Sequence, residues 1–256
     1  MTFQTVDGND DSADVRLLFP DAVSDPAGLL YGLQKTYGKK ARKQSHAAYK
    51  TLLHAHAILA SVIGRAMRRT NGAIYEITNV NEERTALFAC YVIGMTTCEE
   101  AIEEARYLQA FALLRQEMEI VGQLKDVRAG KRRKSTPDLN GFDKSIKRLY
   151  DDLSSAAHAS KHYMLQNFTT TEAEHGTLGP IAGTRYFPIC DREIARKAFG
   201  LHLIFTLEFI TELSIDHSDR HGCEFTKDDI NALTLANQIL INEGILEDGV
   251  EIEVYE

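Results

Sequence analysis

The sequence predicts an all-α fold, a multi-helix bundle of about five to seven helices, and three observations carry that prediction. Apolar residues recur at i, i+3 and i+4 over several long stretches, the period of a helix with one face turned to a partner. Only 5 prolines occur in 256 residues, and proline breaks helix interiors. The composition, 44% hydrophobic and 26% charged, is that of a globular chain long enough to bury a substantial core.

Taken in order, residues 1–26 are polar and Asp-rich, with Pro20 and Pro26, and read as a flexible N-terminal segment. Residues 27 to about 69 read as helix. There the basic stretch Lys39-Lys40-Ala41-Arg42-Lys43 precedes an apolar stripe through Leu52, Leu53, Ala57, Ile58, Val62 and Ile63, and Gly72 after Asn71 ends the helix. Residues 82 to about 125 form the longest periodic stretch, with Asn79 or Asn81 as the cap. Its length exceeds an ordinary helix, so a break is expected around residues 94–97. A basic loop follows over 125–137, then helix from 142 to 166. Residues 169–188 read as irregular, with Gly176, Gly179, Pro180 and Gly183 and a short extended segment at Thr184-Arg185-Tyr186-Phe187-Pro188. Asp191 caps the next helix, whose apolar face carries Ile194, Ala198, Leu201, His202, Phe205 and Phe209. The last helix starts near Thr226, with Asp228 and Asp229 at its positive end. Residues 27–243 are thus expected to form a single all-helical domain, and 244–256 an acidic tail.

Charge and composition exclude several functions. The net charge of −8 argues against coating nucleic acid over the whole surface, which requires neutralising phosphates. The N-terminus lacks a basic start followed by an apolar run, so no signal peptide is read. The most apolar window, residues 201–210, contains His202 and Glu208 and falls short of the ~20 residues needed to span a bilayer. A cytoplasmic protein without a membrane partner is expected. Cys90, Cys98, Cys190 and Cys223 form no CxxC pair, and Cys90 and Cys98 read as small core residues. There is no glycine-rich dinucleotide or P-loop motif, and no serine-hydrolase elbow.

The strongest chemical signal is a pair of helical segments. Arg115 and Glu119 are four apart and share a face. Asp151, Ser155, His158 and His162 share another, with Ser154, His158 and Lys161 as an adjacent stripe. If the two helices pack antiparallel, Arg115 faces His158. Arg115, Glu119, His158 and Lys161 then form a candidate catalytic site for an anionic group: Arg115 and Lys161 hold a phosphate and His158 moves a proton. The alternative is an internal network, Arg115 paired with Glu119 and His158 hydrogen-bonded to a neighbour. Lys125, Arg128, Lys131, Arg132, Arg133 and Lys134 make the candidate nucleic-acid-binding loop, with Lys39, Lys40, Arg42 and Lys43 as a second basic stretch. No aromatic residues interleave there to stack bases, so a solvated turn is the alternative.

Metal ligation finds little support. Glu172-Ala173-Glu174-His175 holds a Glu-x-x-His, but it stands alone in a Gly- and Thr-rich stretch, whereas a di-iron bundle needs two. Glu99, Glu100, Glu103 and Glu104 read as a solvated face, His54 and His56 point to different sides of a helix, and residues 216–221 read as a polar helix end. No metal and no cofactor are expected.

The segments Ala112-Leu113-Leu114-Arg115-Gln116-Glu117-Met118-Glu119 and Leu153-Ser154-Ser155-Ala156-Ala157-His158-Ala159-Ser160-Lys161 resemble uncharacterised bacterial and phage all-helical families related to the HEPN superfamily. The resemblance covers residues from about 85 to 165. It implies a HEPN-like core, a homodimer and, as activity, metal-independent cleavage of RNA in phage defence. The superfamily motif, an Arg followed after four to six residues by a His, has one formal match here, Arg196 and His202, which form the alternative catalytic pair. Lys197 stands where a small polar residue often follows the Arg. Six residues turn an ideal helix by about 600°, so the two would not share a face without distortion, and His202 sits on an apolar stripe where a core histidine is expected. Two functions therefore stand side by side: an RNA-directed effector of a bacterial or phage conflict system, and a non-enzymatic helical scaffold or binding module.

Overall fold

The computed structural model describes residues 26–74, 76–131, 142, 144–158, 162–175 and 179–247, and only the backbone of 144–148, 162–164, 171–175 and 179–182. Among them are α1 (Pro26–Ala48), α2 (Lys50–Thr70), α3 (Asn79–Glu103), α4 (Tyr107–Arg128), α5 (Lys144–Ala157), α6 (His162–Thr169), β1 (Thr170–His175), β2 (Gly179–Thr184), α7 (Arg192–His221) and α8 (Lys227–Asn242). The chain is an all-α multi-helix bundle with a single two-stranded hairpin among the described residues. The N-terminal segment expected to be flexible and most of the expected acidic tail lie outside the described residues.

The eight described helices exceed the expected number because stretches read as continuous are broken. The first break is at Tyr49, whose backbone (φ −133°, ψ 37°) leaves the helical region. The chain bends without losing its ladder: the Tyr49 amide still reaches Ser45 O at 3.2 Å. Tyr49 itself is 1% exposed and stacks on Phe199, with ring centroids 4.3 Å apart.

The second break is displaced from its expected place. α3 runs unbroken through Gly94, which has open space around it. The chain reverses at Ala105 instead, which takes φ +56°. Arg106 N–H donates to Ala101 O at 2.9 Å and Ala105 N–H to Ile102 O at 3.1 Å, the paired bonds of a Schellman ending. Glycine is the usual residue at such a position, and alanine there costs on the order of 1 kcal/mol. No glycine marks this turn; the nearest is Gly94, within α3.

Caps set the other ends. α3 is capped by Thr78, whose Oγ1 accepts from Asn81 N–H at 3.2 Å, while the Asn81 side chain turns back to Glu76 O. Neither Asn79 nor Asn81 is the cap. Asp191 caps α7 as expected, accepting from the Glu193 and Ile194 amides at 3.0 Å each. Thr226 and Asp229 cap α8 reciprocally. In the stretch read as irregular, β1 and β2 pair antiparallel from Thr170 opposite Thr184 to His175 opposite Gly179. The run Thr169-Thr170-Thr171 is β-branched and suits a strand despite the glycines and proline nearby.

α7 is the axis of the bundle and packs against α1, α2, α3 and α4, while α8 lies along α2 and α5 along α4. By length and composition α7 could cross a membrane, but 72% of its most apolar window is buried within the fold, as in a core helix. One hydrophobic cluster runs from Ala41 to Leu240. The expected boundary at residue 243 is too early: Ile245 and Leu246 fold back onto this core, and a Cβ at Gly200 would stand 2.8 Å from Ile245 Cδ1.

Asp191→Ala removes the acceptor for two amides at the start of this central helix. It should destabilise the protein by about 1 kcal/mol and lower Tm by about 2–4 °C at this chain length, measured by thermal and urea unfolding.

Candidate functional site

α4 and α5 bring the Arg115 group together. Arg115 Nε donates to Glu119 Oε1 at 2.9 Å, Nη1 to His158 Nε2 at 3.0 Å and Nη2 to the Tyr150 hydroxyl at 3.2 Å. The Tyr150 hydroxyl donates in turn to Glu119 Oε1 at 2.8 Å, and the guanidinium lies over the Tyr150 ring, 5.2 Å from its centre. Arginine has no acceptor, so His158 Nε2 accepts and the proton of the neutral ring sits on Nδ1. Burial opposes the charge on Arg115, but Tyr150 and Glu119 more than offset it and hold its pKa above the usual arginine value. His158 is exposed, just beyond the last residue of α5. Lys161 lies outside the described residues. Tyr150 was missed by sequence reasoning, although it continues the Ser154–His158 stripe one helical turn back.

The basic loop divides. Lys125 is bound to Glu208 at 2.7 Å and lies over the Phe142 ring, and Arg128 grips Glu212 at 2.9 and 3.0 Å. Both cations are turned toward carboxylates of α7, and Arg128 supplies the counter-charge that Glu212, 1% exposed, requires. Lys131 is exposed, and Arg132, Arg133 and Lys134 lie outside the described residues. In the other basic stretch Arg42 pairs with Glu103 and Glu104, each at 3.0 Å.

A second polar group, not anticipated as a unit, lies where α2, α3, α4 and α7 meet. His202 of α7 is wholly buried, and its Nδ1 is 2.9 and 3.0 Å from the two oxygens of Glu117 on α4. Its Nε2 is 3.5 Å from Glu99 Oε1 on α3, and His56 Nε2 on α2 is 2.7 Å from that same oxygen. Those three atoms, His56 Nε2, Glu99 Oε1 and His202 Nε2, are buried, and their mutual contacts are ion-pair approaches without hydrogen-bond alignment. Burial disfavours a charged His202, but Glu117, with contacts from Cys98 and Glu99, outweighs it and raises its pKa well above the usual histidine value. Burial likewise opposes ionisation of Glu99, yet the two imidazoles bring its pKa down to about 2. Burial, with the charge of Glu117, pushes the Cys98 thiol up to about 12. Thr206 donates to His202 O at 2.8 Å and meets the Tyr91 hydroxyl at 3.1 Å.

These contacts correct several expectations. Glu99 and Glu103 are not a solvated face: Glu99 meets two histidines, and Glu103 meets His46 at 2.6 Å as well as Arg42. α3 packs against α1, α4 and α7, so Glu99 and Glu103 turn inward, while Glu100 stays exposed. Residues 216–221 are more than a polar helix end, since Asp216 and His217 are buried and Asp216 pairs with Arg84 at 2.9 Å. Burial and the nearby Arg69 bring the His217 pKa down to about 4. Arg196 and His202 do not converge, because Arg196 is held by Glu243 at 2.7 Å near the end of α8 while His202 points into the core.

No family model, curated protein or solved structure matches this chain. The reading of the site therefore rests on its own geometry.

Because the pKa of Glu99 is depressed in the fold, its stabilising contribution is present above its ordinary value of 4.5 and is lost as pH falls toward about 2. Unfolding followed by circular dichroism should show stability declining through that window, and Glu99→Gln should flatten the decline there.

Proposed function

We propose that the protein is a HEPN-like, RNA-directed effector of a bacterial or phage conflict system, acting on phosphodiesters without metal through Arg115 and His158. The observation that carries this reading is the 3.0 Å contact between Arg115 Nη1 and His158 Nε2 at an exposed helix end. An incoming phosphate competes for the Arg115 donors and frees His158 Nε2, which is then an unprotonated base beside the bound anion. His158 takes the proton of the ribose 2′-hydroxyl, the 2′-oxygen attacks phosphorus, and the bond to the 5′-oxygen breaks. The 5′-oxygen takes a proton from solvent, and Arg115 stabilises the charge on the phosphorane. Glu119 and Tyr150 position the guanidinium. Lys131, Arg132, Arg133 and Lys134 are the further phosphate-binding residues of this reading, and a homodimer is the expected assembly.

A specific observation favours a second reading, the non-enzymatic scaffold or binding module. Glu119, Tyr150 and His158 already take up the Arg115 side chain, as in an internal network. The two readings differ in what His158 does for stability. On the effector reading, untagged protein free of contaminating nuclease cleaves RNA in EDTA. His158→Ala and Arg115→Ala each lose about 10²–10⁴-fold in rate, and His158→Ala leaves Tm within about 1–2 °C, as expected for an exposed site away from the core. Intact RNA in every sample, with a marked fall in Tm for His158→Ala, establishes the scaffold reading instead.

A further inference from the structure

We propose that His56, Glu99 and His202 form a binding site for a first-row divalent transition metal, zinc being the best match, that ties α2, α3 and α7 together within the bundle. Sequence reasoning anticipated no metal because each ligand comes from a different helix and no short motif joins them.

The geometry carries the proposal. The three ligand atoms lie within 4.8 Å of one another. They are buried and face one another at ion-pair distance, yet none of these contacts has the alignment of a hydrogen bond, and an ion between them satisfies all three atoms at once. An ion with nitrogen and oxygen ligands about 2.0–2.1 Å away holds tetrahedral neighbours about 3.3 Å apart. The His202 Nε2 to Glu99 Oε1 separation of 3.5 Å already fits. The His56 Nε2 to Glu99 Oε1 separation of 2.7 Å needs to open by roughly 0.6 Å to meet that spacing. His56 is on the accessible side, so this opening displaces little: its side chain is 18% exposed and that of Glu99 17%, which also provides the entry route.

The surroundings of His202 match those of a ligand histidine. Metal-bound imidazoles almost always donate their other N–H to a carboxylate or carbonyl, which fixes the tautomer. Here Glu117 receives Nδ1–H on both oxygens, leaving Nε2 aimed at Glu99 and His56. Charge accommodates the ion as well. Glu99 and Glu117 supply two negative charges that balance a divalent cation once His202 gives up its Nε2 proton, so binding releases a proton and weakens as pH falls. The imidazoles exclude magnesium and calcium, which take oxygen ligands, and favour the zinc-to-cobalt class. Cys98 belongs to the neighbouring Cys98–Glu117–His202 group.

The test uses untagged full-length protein stripped of metal with a chelator and then titrated with zinc, cobalt or magnesium chloride. Cobalt should produce visible d–d absorption of low-symmetry coordination, and zinc should displace it. Zinc at a hundredfold excess over its Kd should raise Tm by about 5 °C or more, with no rise for magnesium. Glu99→Gln, close in shape to the native residue, and His56→Ala, at the accessible edge, should each abolish the cobalt band and the Tm rise while the circular dichroism remains helical. No cobalt band and no zinc-dependent Tm rise in the native protein overturns the proposal and leaves the group as an internal charge network. A rise that survives in both variants overturns it equally, by assigning the ion to another site.

Discussion

The pairing of Glu117 with His202, at the crossing of α4 and α7, is the constraint on which the rest of the bundle depends. Both side chains are sealed from solvent, at 4% and 0% exposure. Two opposite charges in such surroundings gain little over apolar residues of the same size, but removing one of them leaves the other uncompensated and costs about 3–5 kcal/mol. The pair therefore specifies register more than it adds stability. α4 must place Glu117 against one turn of α7, and α7 in turn sets where α1, α2 and α3 can lie. The wider network repeats this logic: Lys125 and Arg128 of α4 meet Glu208 and Glu212 of α7, about two and three turns further along the same contact.

α4 joins the core to the surface. Glu117 points inward, while Arg115 and Glu119, two residues to either side, are rotated about 200° on the helix and face α5. A helix held in register by its buried charge thus presents Arg115 to Tyr150 and His158 with little freedom. This supporting arrangement is what a site on rigid elements requires, since misplacement of about 1 Å is enough to weaken catalysis or binding. It serves the effector and scaffold readings alike, because either needs the same geometry.

The fold class was legible because helix periodicity and proline scarcity are properties of the chain itself. The Asp191 and Thr226 caps were legible for the same reason: a cap is decided by residues within one turn. The break at Ala105 was not, because alanine in a left-handed conformation carries no local signal and is held there by the packing of α3 on α4. The meeting of Arg115 and Glu119 with His158 followed from spacing plus antiparallel packing of consecutive helices. The His56–Glu99–His202–Glu117 group was out of reach. Each residue looked ordinary on its own helix: Glu99 as one of four surface acids, His202 as a core histidine, His56 as one of two divergent histidines. Only the three-dimensional crossing of four helices shows that they address one another. The inward turn of Lys125 and Arg128 was hidden in the same way, since their partners lie on α7.

The most direct test of this account is a double-mutant cycle across the central pair, Glu117→Gln and His202→Gln singly and together, with stability measured by urea unfolding at neutral pH. The account predicts strong non-additivity: each single change is costly, the double change costs far less than their sum, and the coupling is about 2 kcal/mol or more. Additive effects within about 0.5 kcal/mol would contradict it, and would mean that α4 and α7 are held in register by apolar packing alone.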